Sequence, residues 1–282
     1  MRLPTTSTDV AAALGGVRFS GECINLPAAG KGHDVSLVED EFVGIADGST
    51  PLQASESIDA RGYARDALER LWRSRSSQPE EMFRRALSAT DPPRGPIAQR
   101  PSAAVITVTA IEGTVFVTAL GDCLGVVRGV DGGLTVAWDR RLERFDGPIA
   151  EQMARAVSGG MSLQDARAEA GPQLRSNRDL ANRADTYWLF ADEPEAAEHL
   201  TTSSVPLDSV DEILICSDGF TRLIDPFGIA DGVEDLLDRA TAQGLDSLGA
   251  QLRSAEEAPR SLVEFPRLDV SDDTTAIRLK RA

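Results

Sequence analysis

The feature that most constrains the fold is a series of apolar, strand-like runs joined in pairs by very short turns. The connections are the segment VEDE, the pair Glu112-Gly113 and the triplet Asp131-Gly132-Gly133. Short turns of this kind link antiparallel neighbours. The pattern therefore predicts an antiparallel β core built from the runs GVRFSGECINL, DVSLV, EFVGIA, SAAVITVTAI, TVFVTAL, LGVVRGV, LTVAW, DEILIC and TTAIRL.

Helical patterns occur in pairs between these hairpins. ARGYARDALERLW and PEEMFRRALSA form the first pair, which DPPRGP ends, and GVEDLLDRATAQ and LDSLGAQLRSA form the last. Paired helices beside hairpins predict an α+β protein, with helices packed on antiparallel sheets. Without an internal repeat or a long linker, we expect one domain over residues 1–282. A polar, helical insert at about residues 139–186 is the candidate for a flap or appended lobe.

Composition excludes several classes of protein. A formal net charge of −16 disfavours nucleic acid and gives no sign of a membrane partner. No run approaches the ~18 apolar residues of a membrane span. The first residues, MRLPTTSTDVAAALGG, lack the features of a secretory signal, so we expect a cytoplasmic protein.

Cysteine and histidine are too scarce for several kinds of site. The 3 cysteines are widely separated and include no CxxC pair, so neither a disulfide framework nor a thiolate zinc site is indicated. The chain has only 2 histidines, which argues against a Ser-His-Asp triad or a zinc hydrolase.

Two of the five Asp-Gly pairs in the chain stand apart from the others. The pairs at Asp131, Asp146 and Asp231 are expected to be turns or helix caps. Asp47 and Asp218, in contrast, follow the uninterrupted apolar runs FVGIA and EILIC. A carboxylate at the end of a buried strand loses its hydration unless it meets a cation.

Three further aspartates have a similar setting, which suggests a shared site. Asp122 follows the run TVFVTAL, Asp272 precedes the last strand, and Asp34 precedes DVSLV. Any one of these fits a turn or a cap, but five acids at strand ends together indicate a metal centre. Oxygen ligands without histidine or thiolate favour Mg²⁺ or Mn²⁺, and carboxylates that can bridge ions suit two-metal phosphoryl chemistry.

The order of the motifs GHD, IADG, ALGD, CSDG and SDDTT, from Asp34 to Thr275, resembles the metal-dependent serine/threonine protein phosphatases, the protein phosphatase 2C family. The resemblance implies a central β-sandwich of two antiparallel sheets flanked by helices on both faces, a four-layer α-β-β-α arrangement. It also implies hydrolysis of phosphoserine or phosphothreonine in proteins by a water that bridges two Mn²⁺ or Mg²⁺ ions. A phosphoprotein substrate and a cognate kinase would then be the partners.

The same resemblance implies a role for each acid. Asp47 would bridge both ions, and the Gly48 carbonyl would bind one of them. Asp218 and Asp272 would hold the other ion, and Asp34 would orient the metal-bound water.

Two further acids, Asp122 and Asp273, have less direct roles under this resemblance. Asp122 would serve a weaker third ion. Asp273 is the alternative to Asp272, which we favour because Thr275 then occupies the family's hydroxyl position.

The chain departs from the family's pattern near the expected phosphate contact. Ala29 stands where relatives often carry an arginine, and Lys31, two residues further on, is the candidate substitute. Ser49-Thr50-Pro51 follows the first Asp-Gly pair, and His33 replaces an acidic residue. These changes leave open a catalytically weak or inactive regulatory or binding module with the phosphatase fold.

A different phosphatase class is a weaker alternative. The segment from Cys216 to Arg222 fits the Cys-x5-Arg cradle of cysteine-dependent phosphatases, in which a thiolate attacks phosphorus. Asp218 would place a negative charge inside that cradle. We therefore expect Cys216 to be a buried strand residue.

Overall fold

The computed structural model describes residues 7–30, 32–49, 59–75, 78–89 and 96–282. Its strands are Thr8–Leu14 (β1), Val17–Leu26 (β2), Val35–Glu39 (β3), Phe42–Gly48 (β4), Ala103–Ile111 (β5), Thr114–Leu120 (β6), Leu124–Gly129 (β7), Leu134–Trp138 (β8), Thr201–Pro206 (β9), Val210–Cys216 (β10) and Thr274–Arg281 (β11). Its α-helices are Ala60–Arg73 (α1), Pro79–Leu87 (α2), Glu143–Ser158 (α3), Leu163–Arg178 (α4), Asp218–Thr221 (α5), Val233–Gln243 (α6), Leu245–Glu257 (α7) and Ser261–Glu264 (α8).

The described strands form two antiparallel sheets. A six-stranded sheet has the order β1-β2-β11-β10-β7-β8, and a five-stranded sheet has the order β3-β4-β5-β6-β9. The hairpins β3–β4, β5–β6 and β7–β8 lie where the short turns predict them. The antiparallel β core is confirmed.

Sequence patterns missed two strands, and both are edge strands of their sheets. TDVAAAL of β1 is rich in alanine, and TTSSVP of β9 is polar, so neither has the apolar β-branched composition typical of a strand. β1 pairs with β2 over its whole length, and β9 pairs with β6. Their neighbours in the sheets, rather than their own composition, decide that they are extended.

The two sheets pack face to face and carry helices on their outer faces. Side chains of both sheets fill the space between them, including Phe19, Ile45, Ile106, Val117, Ile213 and Ile277. Apolar residues of α1 and α2 cover the outer face of the five-stranded sheet, and those of α6 and α7 cover the six-stranded one. The four-layer α-β-β-α arrangement is confirmed.

The insert at residues 139–186 contains α3 and α4. They pack on one another around a small apolar cluster of Ile149, Met153, Ala166, Ala170 and Leu174. Because α3 begins at Glu143, Asp146 lies in its first turn, and the expectation that it precedes or caps a helix was wrong. The assignment of one domain with a flap stays a prediction.

Most of DPPRGP falls outside the described residues. Among the helices of the described segments, none is long and apolar enough to cross a membrane.

Ile106 tests the importance of the core between the sheets. It has no exposed surface, so Ile106→Ala should lower the free energy of unfolding by about 2–5 kcal/mol through lost burial and a residual cavity. Val130→Ala is the control because Val130 is 66% exposed, and its effect should stay within ~0.5 kcal/mol. Urea denaturation measures both, and equal effects would contradict this assignment of the core.

Candidate functional site

Strand ends from both sheets bring the predicted acids to one end of the sandwich. In the five-stranded sheet, Asp47 lies near the end of β4, Asp34 lies just before β3, and Asp122 follows β6. In the six-stranded sheet, Asp218 begins α5 directly beyond β10, and Asp272 lies just before β11. The pairings Val35↔Ala46 and Cys216↔Ala276 align these strand ends within each sheet.

A buried hydroxyl joins the two sheets at this end. Ser217 donates its Oγ hydrogen to Asp34 Oδ2 at 2.7 Å and accepts the backbone N–H of Thr275 at 2.9 Å. Asn25 Nδ2 donates to Thr275 Oγ1 at 2.9 Å and to the Asp34 carbonyl at 3.3 Å. Sequence patterns missed Ser217 and Asn25, although Ser217 belongs to the motif CSDG.

The glycines that follow Asp47 and Asp218 permit close backbone packing rather than a turn. A Cβ on Gly48 would lie 2.6 Å from the Ala60 carbonyl oxygen, where α1 begins. A Cβ on Gly219 would lie 2.1 Å from the Asp273 carbonyl oxygen. These two Asp-Gly pairs therefore differ from Asp131-Gly132, a true hairpin turn in which Asp131 Oδ1 accepts the Gly133 N–H.

The carboxylates at this end repel one another. Burial raises the pKa of Asp34 to about 7; the hydrogen bond from Ser217 opposes the shift, and neighbouring acids add to it. Burial also raises the pKa of Asp47 well above its usual range, and the negative charges of Asp34 and three other acids raise it further. Burial likewise raises the pKa of Asp122 well above its usual range, and the charge of Asp218 raises it further.

Unpartnered oxygen atoms show that the site is suited to a cation. Asp34 Oδ1 and Asp218 Oδ1 are buried, and neither has a hydrogen-bond donor in the described part of the chain. Such atoms are costly to bury without a partner. Because the donors are hard oxygens, Asp34, Asp47, Asp122 and Asp218 fit Mg²⁺ or Mn²⁺.

Asp272 and Asp273 have different surroundings. Asp273 accepts the backbone N–H groups of Ala28 at 2.7 Å and His33 at 2.5 Å, so it holds the loop between β2 and β3. Burial and the charge of Asp218 raise the pKa of Asp272 to about 8, against the opposing charge of Arg222. Asp272 thus shares the electrostatics of Asp218 and Asp34, and the charge of Asp273 adds to the raised pKa of Asp34.

The carboxylate side chains are not arranged as a closed set of ligands in the described part of the chain. Across the described ranges, no group of three or more His, Cys, Asp or Glu side chains is arranged to enclose an ion. Asp272 Oδ2 accepts a hydrogen bond from Arg222. An ion bound through this oxygen would have to replace that contact.

Two basic residues, Lys31 and Arg61, bear on the predicted contact with the substrate phosphate. Lys31 lies outside the described residues, as do Thr50 and Pro51. Arg61, in the first turn of α1, donates from NH1 to the Asp34 carbonyl at 2.6 Å. The sequence pattern treats Arg61 only as part of a helix, yet it lies beside the acidic end.

The insert also contributes an acid to this region. Burial raises the pKa of Asp146 to about 6, with Arg178 opposing the shift and Asp218 adding to it. The electrostatic influence of Asp218 indicates that α3 approaches the acidic end. The Asp-Gly sequence alone did not distinguish Asp146 from a turn residue.

Cys216 is unsuited to nucleophilic attack. Its side chain has no exposed surface. Burial raises the pKa of the Cys216 thiol strongly, and the charges of Asp218 and Asp34 raise it further. A thiolate is the nucleophilic form of cysteine, so these surroundings disfavour the cysteine-dependent mechanism.

No protein-family model and no curated protein sequence matches this chain. Solved structures do match along its length. Stp1 from Staphylococcus aureus, a serine/threonine phosphatase, is 11% identical, with 100% of this chain and 97% of Stp1 covered and a TM-score of 0.50.

Two mycobacterial structures also match. The serine/threonine phosphatase PstP/Ppp of Mycobacterium tuberculosis is 14% identical, with 99% of both chains covered and a TM-score of 0.49. The PPM Ser-Thr phosphatase MsPP of Mycobacterium smegmatis is 18% identical, with 98% of both chains covered and a TM-score of 0.46. The likeness to Stp1 shows that this chain has the fold of that serine/threonine phosphatase, and the resemblance is confirmed at the level of fold.

The crowded acids predict that the metal-free protein becomes less stable as the pH rises. The pKa of Asp34 increases from 3.8 to about 7 on folding, so the folded state binds more protons than the unfolded state between these values. The free energy of unfolding should therefore fall from about pH 5 to about pH 8. Urea denaturation in EDTA measures this, and greater stability at the higher pH would contradict the repulsive cluster.

Proposed function

We propose that this chain is a metal-dependent phosphatase that hydrolyses phosphoserine or phosphothreonine in proteins. The observation that carries the proposal is the gathering of Asp34, Asp47, Asp122 and Asp218 at one end of a phosphatase fold, where buried oxygens of Asp34 and Asp218 have no donor within the described ranges. Several adjacent carboxylates are electrostatically unfavourable without cations. A phosphate ester is a substrate that cations held in this way can bind and activate.

Asp47 is the proposed shared ligand of two Mn²⁺ or Mg²⁺ ions, with the Gly48 carbonyl beside it. Asp218 and Asp272 complete one position, and Asp122 serves a weaker third ion. When bound, the ions would lower the pKa of a water molecule and offset negative charge on the phosphate.

Asp34 is the proposed positioning group for the attacking water. The Ser217 hydroxyl fixes Asp34 Oδ2 at 2.7 Å, which leaves Oδ1 as the atom that can accept a hydrogen bond or a proton. Lys31 is the proposed contact for the substrate phosphate.

The proposed reaction implies particular partners. We propose a phosphoprotein substrate, a cognate kinase that installs the phosphate, and a cytoplasmic location. The chain would act as one catalytic domain over residues 1–282, with α3 and α4 as a flap.

Asp47→Asn tests the shared ligand. The amide keeps the shape of the side chain but removes its charge, so Mn²⁺ affinity and phosphate release should both fall by about tenfold or more. Calorimetry with Mn²⁺ and phosphate release from a phosphopeptide measure these effects. Asp131→Asn is the matched control, because Asp131 belongs to a hairpin turn; near-normal binding and turnover in Asp47→Asn would reject the shared-ligand assignment.

The same measurements separate the alternative functions. Mn²⁺ binding without phosphate release would favour an inactive regulatory or binding module, which Ala29 and the Ser49-Thr50 segment motivate. Phosphate release that resists a chelator would favour the cysteine-dependent mechanism, against which the burial of Cys216 stands.

Lys31→Ala tests the phosphate contact. A charge-assisted hydrogen bond contributes on the order of 1.5–3 kcal/mol, so KM should rise about tenfold or more, with Mn²⁺ affinity nearly unchanged. Lys31→Arg should retain much of the activity. Lys280→Ala is the control, since Lys280 is exposed on β11; an unchanged KM in Lys31→Ala at saturating Mn²⁺ would rule out the contact.

A further inference from the structure

A buried guanidinium lies inside the acidic end of the sandwich. Arg222, just beyond α5, is only 9% exposed. Its NH2 donates to Asp272 Oδ2, and its NH1 donates to Glu256 Oε1 at 3.2 Å. The side chain of Arg222 thus bridges a candidate metal ligand and a second carboxylate.

Donors of the protein satisfy both carboxylate oxygens of Asp272. Oδ2 accepts from Arg222, and Oδ1 accepts the backbone N–H of Asp273 at 3.0 Å. Asp34 and Asp218 differ, because each has a buried oxygen without a donor in the described part of the chain. Asp272 already has a cation as its partner, and that cation is an arginine.

Arg222 has a second carboxylate partner, Glu256, in addition to Asp272. Glu256 is 1% exposed, and its Oε2 accepts from Arg253 NH1 at 2.5 Å. Arg253 NH2 donates to the backbone carbonyls of Asp272 at 2.8 Å and Leu26 at 2.6 Å. Arg253 therefore holds the backbone of Asp272 but not its carboxylate, whereas Arg222 can release that carboxylate and keep Glu256.

We propose that Arg222 is a built-in competitor of the divalent ion for Asp272, and that it weakens the metal position that uses this residue. A guanidinium and a divalent ion beside one carboxylate repel each other, and they compete for the same oxygen. Ion binding at this position requires Asp272 Oδ2 to exchange one cation for the other. The inference rests on the metal site of the proposed function.

Calorimetric titration of the full chain with Mn²⁺, after chelator treatment, tests the competition. Wild type should bind one ion more weakly than the other. In Arg222→Gln the affinity for the more weakly bound Mn²⁺ ion should rise by about tenfold or more, which corresponds to ~1.4 kcal/mol. Arg239→Gln is the control, because it removes a positive charge from a contact with Asp235 on α6 and leaves the Arg222–Asp272 contact intact; binding of the weakly held ion should change far less.

Thermal unfolding supplies a readout that does not depend on turnover. Without metal, Arg222→Gln should have a lower Tm than wild type, because Asp272 loses its counter-charge. Added Mn²⁺ should raise the Tm of the variant more than that of wild type, since tighter binding to the folded state stabilises it more.

A second pair of variants covers the case in which Arg222→Gln does not fold. Glu256→Gln leaves Asp272 as the remaining carboxylate partner of Arg222. The affinity for the more weakly bound Mn²⁺ ion should therefore fall further. Adding Arg222→Gln to that variant removes one buried charge of each sign and should restore tight binding. Equal affinities in this pair would overturn the proposal.

The outcomes separate this inference from the proposed function. If wild type binds Mn²⁺ and Arg222→Gln binds it equally or more weakly, Arg222 does not compete with the ion, and the inference alone is wrong. If neither wild type nor Arg222→Gln binds Mn²⁺, the metal site of the proposed function fails, and the inference fails with it.

Discussion

Repulsion among carboxylates at the junction of the two sheets is the constraint that organises this end of the molecule. Burial and neighbouring acids raise the pKa of Asp34, Asp47 and Asp122, so each added negative charge makes the next harder to accommodate. The rest of the fold tolerates this because a large apolar core, centred between the sheets, supplies its stability. An unfavourable charge arrangement can persist only on such a scaffold.

Local contacts offset part of the repulsion in ways that also set the geometry. Ser217 stabilises Asp34 across the junction, Asp273 secures the loop between β2 and β3, and Arg222 compensates the charge of Asp272. Each contact draws its two partners from different strands or loops. The acidic end is therefore held together by polar contacts as well as by the backbone pairing of the strands.

If the proposed metal site is correct, stability without metal and affinity for metal place opposite demands on Asp272. A guanidinium beside this carboxylate offsets its negative charge when no ion is bound. The same guanidinium occupies an oxygen that an ion would use. Because Arg222 also contacts Glu256, the protein has an arrangement in which Asp272 can be released without leaving the arginine unpaired.

Apolar periodicity and turn chemistry depend on neighbouring residues, and they correctly predicted the antiparallel core, most strands and helices, and the position of acids at strand ends. Contacts between distant segments decide that β1 and β9 are strands, that Asp34 Oδ1 has no donor among the described residues, and that Arg222 contacts Asp272. These properties join residues far apart along the chain. Ser217 and Asp34, for example, are 183 positions apart, and a local pattern carries no information about a contact made by packing two sheets.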